Sequence, residues 1–161
     1  MCIRDRCRDW ESASASLKKR GIRTIQTRFG VVLGRGGGAL AKLVPLYRLG
    51  LGASLGTGHQ WMSWIALGDL IRAMEFVIHS NIQGPVNFVS PQAIRQEAFS
   101  RSLANYLHRP HFFKIPAFIL RLFFGEMAQE MLLASARVIP NQLLDSGFSF
   151  IYPNIQNVFA D

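Results

Sequence analysis

The stretch Gly34-Arg35-Gly36-Gly37-Gly38-Ala39 fits the pattern G-x-G-x-x-A. Glycines at this spacing, between a strand and a helix, let backbone amides approach a pyrophosphate closely. That chemistry has a second requirement, an acid about 20 residues further on to hold a ribose hydroxyl. The zone in question reads SLGTGHQ, and no acid follows before Asp69. The match therefore rests on spacing alone. The alternative is a strand-to-helix loop whose bare backbone lies beside a ligand, at the end of the sheet where α/β folds place ligands.

Other chemistry-bearing residues are sparse. His108 and His111 straddle Arg109-Pro110 without a further ligand cluster, so no metal site is expected. Cys2 and Cys7 lack a partner at CxxC spacing and make no disulfide framework, which suits a reducing compartment. His59 is a loop histidine, either solvated or lining a cleft. Glu126 and Glu130 lie one helical turn apart and read as a solvated face. Asp69 opens a helix, where its charge suits the dipole. In Gln60-Trp61-Met62-Ser63-Trp64-Ile65 the two tryptophans either pack in a core or wall a pocket.

The elements that must position these residues alternate. Arg8 to Arg20 reads as a helix with Trp10, Ala13, Ser14 and Leu17 on one face, and Ile22 to Leu33 as β. Ala39 to Leu49 is helical, with Pro45 expected to bend or break it. Gly50 to Gly58 reads as loop. The helix opened by Asp69 groups Leu70, Ile71, Met74, Val77 and Ile78 on one face. Val86 to Val89 is a buried-type strand. Gln96 to His108 is a helix with Phe99, Leu103 and Leu107 inward. Helices follow over Ala117 to Phe124, Met127 to Ser135 and Asn141 to Asp145. Phe148 to Tyr152 alternates like an edge strand, and Asn154 to Ala160 ends helically. This order predicts an α/β fold with parallel strands. Two or three strands are too few for a covered parallel sheet, so the chain looks like part of one.

Composition narrows the function. The chain has 161 residues, 49% hydrophobic and 17% charged, enough for one core and too few charges for disorder. Its net charge of +8 lies in the first 48 residues, with 11 Lys or Arg against 3 acids; the remainder is balanced at 7 and 7. Those cations are not interleaved with stacking aromatics, so a solvated helix face is expected and no nucleic-acid partner. The opening MCIRDR lacks the apolar core of a signal peptide. The greasy run Phe112 to Phe124 is broken by Lys114, Pro116 and Arg121, short of the roughly 20 residues of a span. A core or interface helix, a cytoplasmic location and no membrane partner are the expectations.

Three motifs in order, FGVVLGRGGGALAKLVPLYRLGLG, GTGHQWMSWIALGDL and GPVNFVSP, resemble the extended branch of the short-chain dehydrogenase/reductases, the NAD-dependent epimerase/dehydratase group. The segment from Ile115 through Ala160 resembles the C-terminal domain of unknown function of its "epimerase family" subgroup. The resemblance implies the C-terminal part of a Rossmann-type, doubly wound parallel sheet plus a small, mainly helical domain. It divides the chain into a non-native leader over 1–6, the epimerase/dehydratase-like part over 7–112 and the C-terminal domain over 113–161. It also implies a missing N-terminal half that would carry the phosphate loop, so the chain alone is expected to be inactive.

By the same resemblance the cofactor is NAD or NADP, with NADP slightly preferred. Phe29, Gly30, Val31 and Val32 would lie against its nicotinamide end. Backbone groups there could bond the carboxamide, and a valine could pack on the ring. Gly36, Gly37, Gln60, Trp61 and Trp64 would border the substrate. Two departures stand out. The family's Tyr-x-x-x-Lys pair would fall on Ile3 and Cys7. In the motif that grips nucleotide sugars, Met62 stands for the arginine, Ser63 for an acid, Ala66 for the histidine and Gly68 for the first aspartate, while Asp69 is kept. Losing the arginine removes a bidentate phosphate contact. A small apolar or aromatic substrate, not a nucleotide sugar, is expected, and a homo-oligomer is compatible. The alternative is a regulatory protein, similar to cell-division inhibitors, that keeps the fold without catalysis.

Overall fold

The computed structural model describes residues 3–34, 36–127, 129 and 133–160. In chain order the first half holds α1 (Ile3–Ala13), α2 (Ala15–Lys19), β1 (Ile25–Phe29), β2 (Val31–Gly34), α3 (Gly38–Arg48), β3 (Ala53–Leu55), β4 (Trp61–Met62), β5 (Trp64–Ala66) and α4 (Leu67–His79). The second half holds β6 (Gly84–Phe88), β7 (Ile94–Arg95), α5 (Gln96–Tyr106), β8 (Phe113–Ile115), α6 (Ala117–Met127), α7 (Asn141–Asp145) and α8 (Ile155–Ala160). Three ladders are parallel, β1 with β6, β2 with β5 and β3 with β8; the short β4–β7 ladder is antiparallel. The chain is α/β with parallel pairs, as its element order implies.

The β-rich run after Ile22 is interrupted at Gly30, where the chain changes partners. Gly30 N–H donates to the Phe88 carbonyl of β6 at 3.1 Å, and Val31 N–H to the Ser63 carbonyl at 2.9 Å. On the far side Ser90 N–H donates to the Trp64 carbonyl at 2.6 Å, stitching the two ladders together. The backbones pass so closely that a Cβ on Gly30 would lie 2.7 Å from the Ser63 oxygen and 2.9 Å from Val89 Cγ1.

Two cores flank these ladders. One gathers Leu33, Leu40, Tyr47, Trp64, Phe99 and Leu103 against Ile155, Val158 and Phe159 of α8. The other gathers Ile65, Ala73, Val77, Val86 and Phe88 against Leu143 of α7 and Phe148. Residues near the C-terminus thus complete both. Asp69 anchors them: its buried carboxylate accepts the amides of Ile151 (2.9 Å) and Tyr152 (2.8 Å) and pairs with Arg72 at 2.9 Å. At the other end of α4, the Arg23 guanidinium donates to the carbonyls of Val77, Ile78, Ser80 and Ile82, satisfying a helix C-terminus.

Several expectations are corrected. α4 turns Ala73 and Val77 inward, with Leu70 and Phe76 partly covered, while Ile71, Met74 and Ile78 face outward. The helix is apolar on two sides, and the buried Asp69 fixes which one faces the core. Pro45 does not break α3, because Leu40 and Tyr47 bury both of its ends. Within the supposed Gly50–Gly58 loop, β3 forms by pairing with β8. Residues 148–152 make no strand, since two of their amides go to Asp69. The helix over Arg8 to Arg20 divides at Ser14, and its Trp10–Leu17 face is exposed. Of the helix expected over Met127 to Ser135, Ala128 and Glu130 to Leu132 lie outside the described residues, as do Cys2 and Arg35; Ser135 is not helical.

Candidate functional site

The partner change at Gly30 decides what residues 29–32 can offer. The amides of Gly30 and Val31 are already bonded within the sheet, so neither is free to donate to a ligand. What remains is side-chain surface. Phe29 and Val31, two apart on an extended chain, share a face. Phe29 is 51% exposed with its ring 5.5 Å from Phe88, and Val31 is 39% exposed. Val32 points the other way and packs in the second core.

Val31 sits opposite Trp64 in the ladder. Trp64 itself is fully buried, and its indole N–H donates to the Gln92 carbonyl at 3.0 Å. As placed, it anchors β5 and presents no surface to a cleft. Gln60 is also buried, with its amide on the Leu55 carbonyl at 2.9 Å. Trp61 is different. It is half-buried, and two guanidinium groups lie over its ring, Arg95 at 3.8 Å and Arg137 at 4.8 Å from the centroid. Residues 135–138 run alongside 61–63 to hold this arrangement. Trp61 N–H donates to Ser135 Oγ (3.0 Å), and Ala136 N–H donates to the Trp61 carbonyl (3.2 Å). Ser63 Oγ donates to the Ala136 carbonyl (2.7 Å) and accepts from Val138 N–H (3.0 Å).

Among the described residues neither Arg95 nor Arg137 pairs with a carboxylate. Arg95 donates to the His59 carbonyl. Arg137 lines a cavity of about 300 Å³ with Gln92, Val138, Ile139, Pro153 and Asn154. Sequence inspection missed both arginines. They are distant from Trp61 in the chain, and no motif links them.

The glycine loop is a tight reversal. Gly34 bridges to Gly37 and Leu33 to Gly38, which turns β2 back into α3. Gly36 and Gly37 are exposed, and a Cβ added at either would meet nothing within 4 Å. His111 faces two serine hydroxyls. Its Nε2 lies 2.9 Å from Ser100 Oγ and 3.3 Å from Ser54 Oγ, in a buried cluster that Tyr47 OH completes. Ser100 spends its proton on the Ala53 carbonyl at 2.9 Å, so His111 Nε2 and Tyr47 OH both donate to it. Burial pushes the Tyr47 hydroxyl pKa above its ordinary value, which keeps it a donor. Groups of three or more His, Cys, Asp or Glu able to hold a metal are absent among the described residues.

The chain as a whole is similar to several known proteins. Residues 115–161 match the family described as a domain of unknown function, DUF1731. Over 150 residues the chain is 41% identical to an epimerase family protein of Mycobacterium bovis, a match covering 92% of the chain and 50% of that protein. Over 153 residues it is 40% identical to one from Staphylococcus haemolyticus, covering 94% and 51%. A human epimerase family protein, crystallised with NADPH, aligns at a TM-score of 0.81 and 34% identity, over 86% of the chain and 47% of its own.

The chain belongs to the extended short-chain dehydrogenase/reductases, as their C-terminal half. It spans about half the length of the curated relatives it matches. A nucleoside-diphosphate sugar epimerase from Corynebacterium glutamicum aligns at a TM-score of 0.75 and 32% identity, over 96% of the chain and 29% of that protein. In this chain, β1 pairs with β6 and, among the described residues, with no second strand. Its outer edge, and the neighbouring Phe29–Val31 face, are therefore open. Above that edge the Glu11 carboxylate takes two bonds from Arg28 at 2.6 and 2.8 Å, and the pairing lowers its pKa.

Proposed function

We propose that the chain supplies the nicotinamide-facing wall and the substrate-side lobe of a NAD(P)-dependent oxidoreductase or epimerase. One observation carries this reading: the open apolar face of Phe29 and Val31 at the strand crossing, in a chain 34% identical to a protein solved with NADPH. A nicotinamide ring has apolar faces, and these two side chains fit one of them. The glycine reversal does not fit the pyrophosphate end, since no acid lies near it in sequence and its residues form a closed turn. Phosphate binding falls to the other half of the protein. When bound, the cofactor supplies hydride transfer, with NADPH the preferred form. The chain's own part is to pack the ring and exclude water through Phe29 and Val31.

The substrate side is formed by Trp61 with Arg95 and Arg137, bordered by the exposed Gly36 and Gly37. Trp61 and its guanidinium groups suit a small planar or aromatic substrate. Met62 provides no diphosphate grip, so a nucleotide sugar is not the proposed substrate. The positions of the usual tyrosine and lysine are Ile3 and Cys7, so no residue of this chain is assigned the proton transfer. The chain by itself is inactive, and its open β1 edge favours self-association.

NADPH titration tests the proposal. The chain alone should show no saturation below about 1 mM. Joined to the N-terminal half of the Mycobacterium relative, it should bind saturably. Micromolar binding by the chain alone would overturn the divided site. No binding by the joined protein would favour the regulatory alternative.

A further inference from the structure

β3 and β8 run parallel with Ala53 opposite Phe113, so the connections entering them lie side by side. α3 leads into β3 and α5 into β8, which brings two helix C-termini to the same pole. Both connections fold tightly: Leu51 N–H donates to the Leu46 carbonyl at 3.0 Å, and Arg109 N–H to the Ala104 carbonyl at 2.9 Å. Beneath them the Tyr47–Ser100–His111 cluster ties α3, α5 and the β8 entry together.

Apolar side chains project from this fixed platform. Phe112 is 83% exposed and Leu49 75%, with Leu46, Leu51 and Phe113 also outward. Exposed cations accompany them: Arg48, Arg109 and Lys114. No carboxylate occurs anywhere in residues 12–68 or 98–125, which supply the whole pole.

We propose that this pole docks on an anionic lipid surface. Projecting aromatic and aliphatic tips among cations suit shallow insertion between anionic headgroups. The pole is no groove for a peptide; the 300 Å³ cavity is lined by other residues. A second copy would set like charges against each other. The expectation of no membrane partner rested on spanning length, and no described helix is long and apolar enough to cross a membrane. Surface attachment needs no such helix.

Flotation of the 161-residue chain with vesicles tests the proposal. Phosphatidylcholine containing phosphatidylserine should bind it, phosphatidylcholine alone should not, and high salt should release it. Arg48→Gln with Arg109→Gln should lower partitioning roughly 20- to 30-fold, at about fivefold per basic residue. Leu49→Ser with Phe112→Ser should lower it by at least roughly tenfold. Ile71→Ser with Ile78→Ser, on the outward face of α4, should leave it unchanged. Equal binding to both vesicles, or equal loss in the α4 control, overturns the proposal. So does a dimer abolished by the Leu49/Phe112 pair in a chain that never floats, which would assign the pole to a second copy.

Discussion

Gly30→Ala probes the strand crossing directly. The new Cβ would sit 2.7 Å from the Ser63 oxygen and 2.9 Å from Val89 Cγ1, where ordinary contacts begin near 3.4 Å. Val89 can shift slightly, but the Ser63 oxygen holds Val31 N–H at 2.9 Å, and Gly30 itself is tied to Phe88. Relief therefore stretches at least one ladder bond. Overpacking of this kind costs about 1–3 kcal/mol, and a backbone obstacle puts the cost near the upper end. For a chain of this size that lowers Tm by roughly 6–9 °C. Gly36→Ala and Gly37→Ala are the controls. Neither Cβ would meet an atom within 4 Å, and Gly37 has an extended backbone at φ −176°. They should melt at or slightly above the parent temperature. Thermal unfolding followed by near-UV circular dichroism reads all three. If Gly30→Ala melts together with the controls, the crossing does not exclude a side chain and the packing argument is wrong.

Asp69→Asn keeps the shape but turns one of two acceptors into a donor facing an amide. It also breaks the Arg72 pair, so urea unfolding should show a loss of about 3 kcal/mol. Tyr47→Phe should change the alkaline limb of stability. Burial raises the folded pKa above 10.0 while the unfolded phenol ionises there, so stability is full below about pH 10 and is lost as pH rises through the folded value. The variant should lack that alkaline slope in pH-dependent melts. Removing Arg95 or Arg137 as alanine, in a Trp10→Phe background, should cost about 0.5–1 kcal/mol each. It should also raise acrylamide quenching of Trp61; unchanged quenching would mean that the guanidinium groups do not cover the ring.

The most legible parts of the sequence were those with a strong period or clear stops. α5 buries Phe99 and Leu103 as its spacing implies, and α7 falls where Pro140 and Gly147 bracket it. The interruption at Gly30 was hidden because β-forming residues flank it on both sides. β3 was hidden among glycines and β8 in a greasy run, since each exists only by pairing with the other. The inward face of α4 was ambiguous because it has apolar residues on two sides, and a buried aspartate chose between them. Of the candidate site, the motifs led to residues 29–32 and Trp61. Spacing alone could not separate Trp64, a core anchor, from Trp61. Nor could it show that the amides of Gly30 and Val31 are consumed by their neighbours, or bring Arg95 and Arg137 to one indole.

The central claim concerns where the nicotinamide rests. A crystal structure of the chain joined to a relative's N-terminal half, grown with NADPH, tests it most directly. The account predicts nicotinamide ring carbons within about 4 Å of the Val31 side chain, with no hydrogen bond from the Gly30 or Val31 amide. A ring lying elsewhere, or one held by those two amides after the crossing has opened, would contradict it.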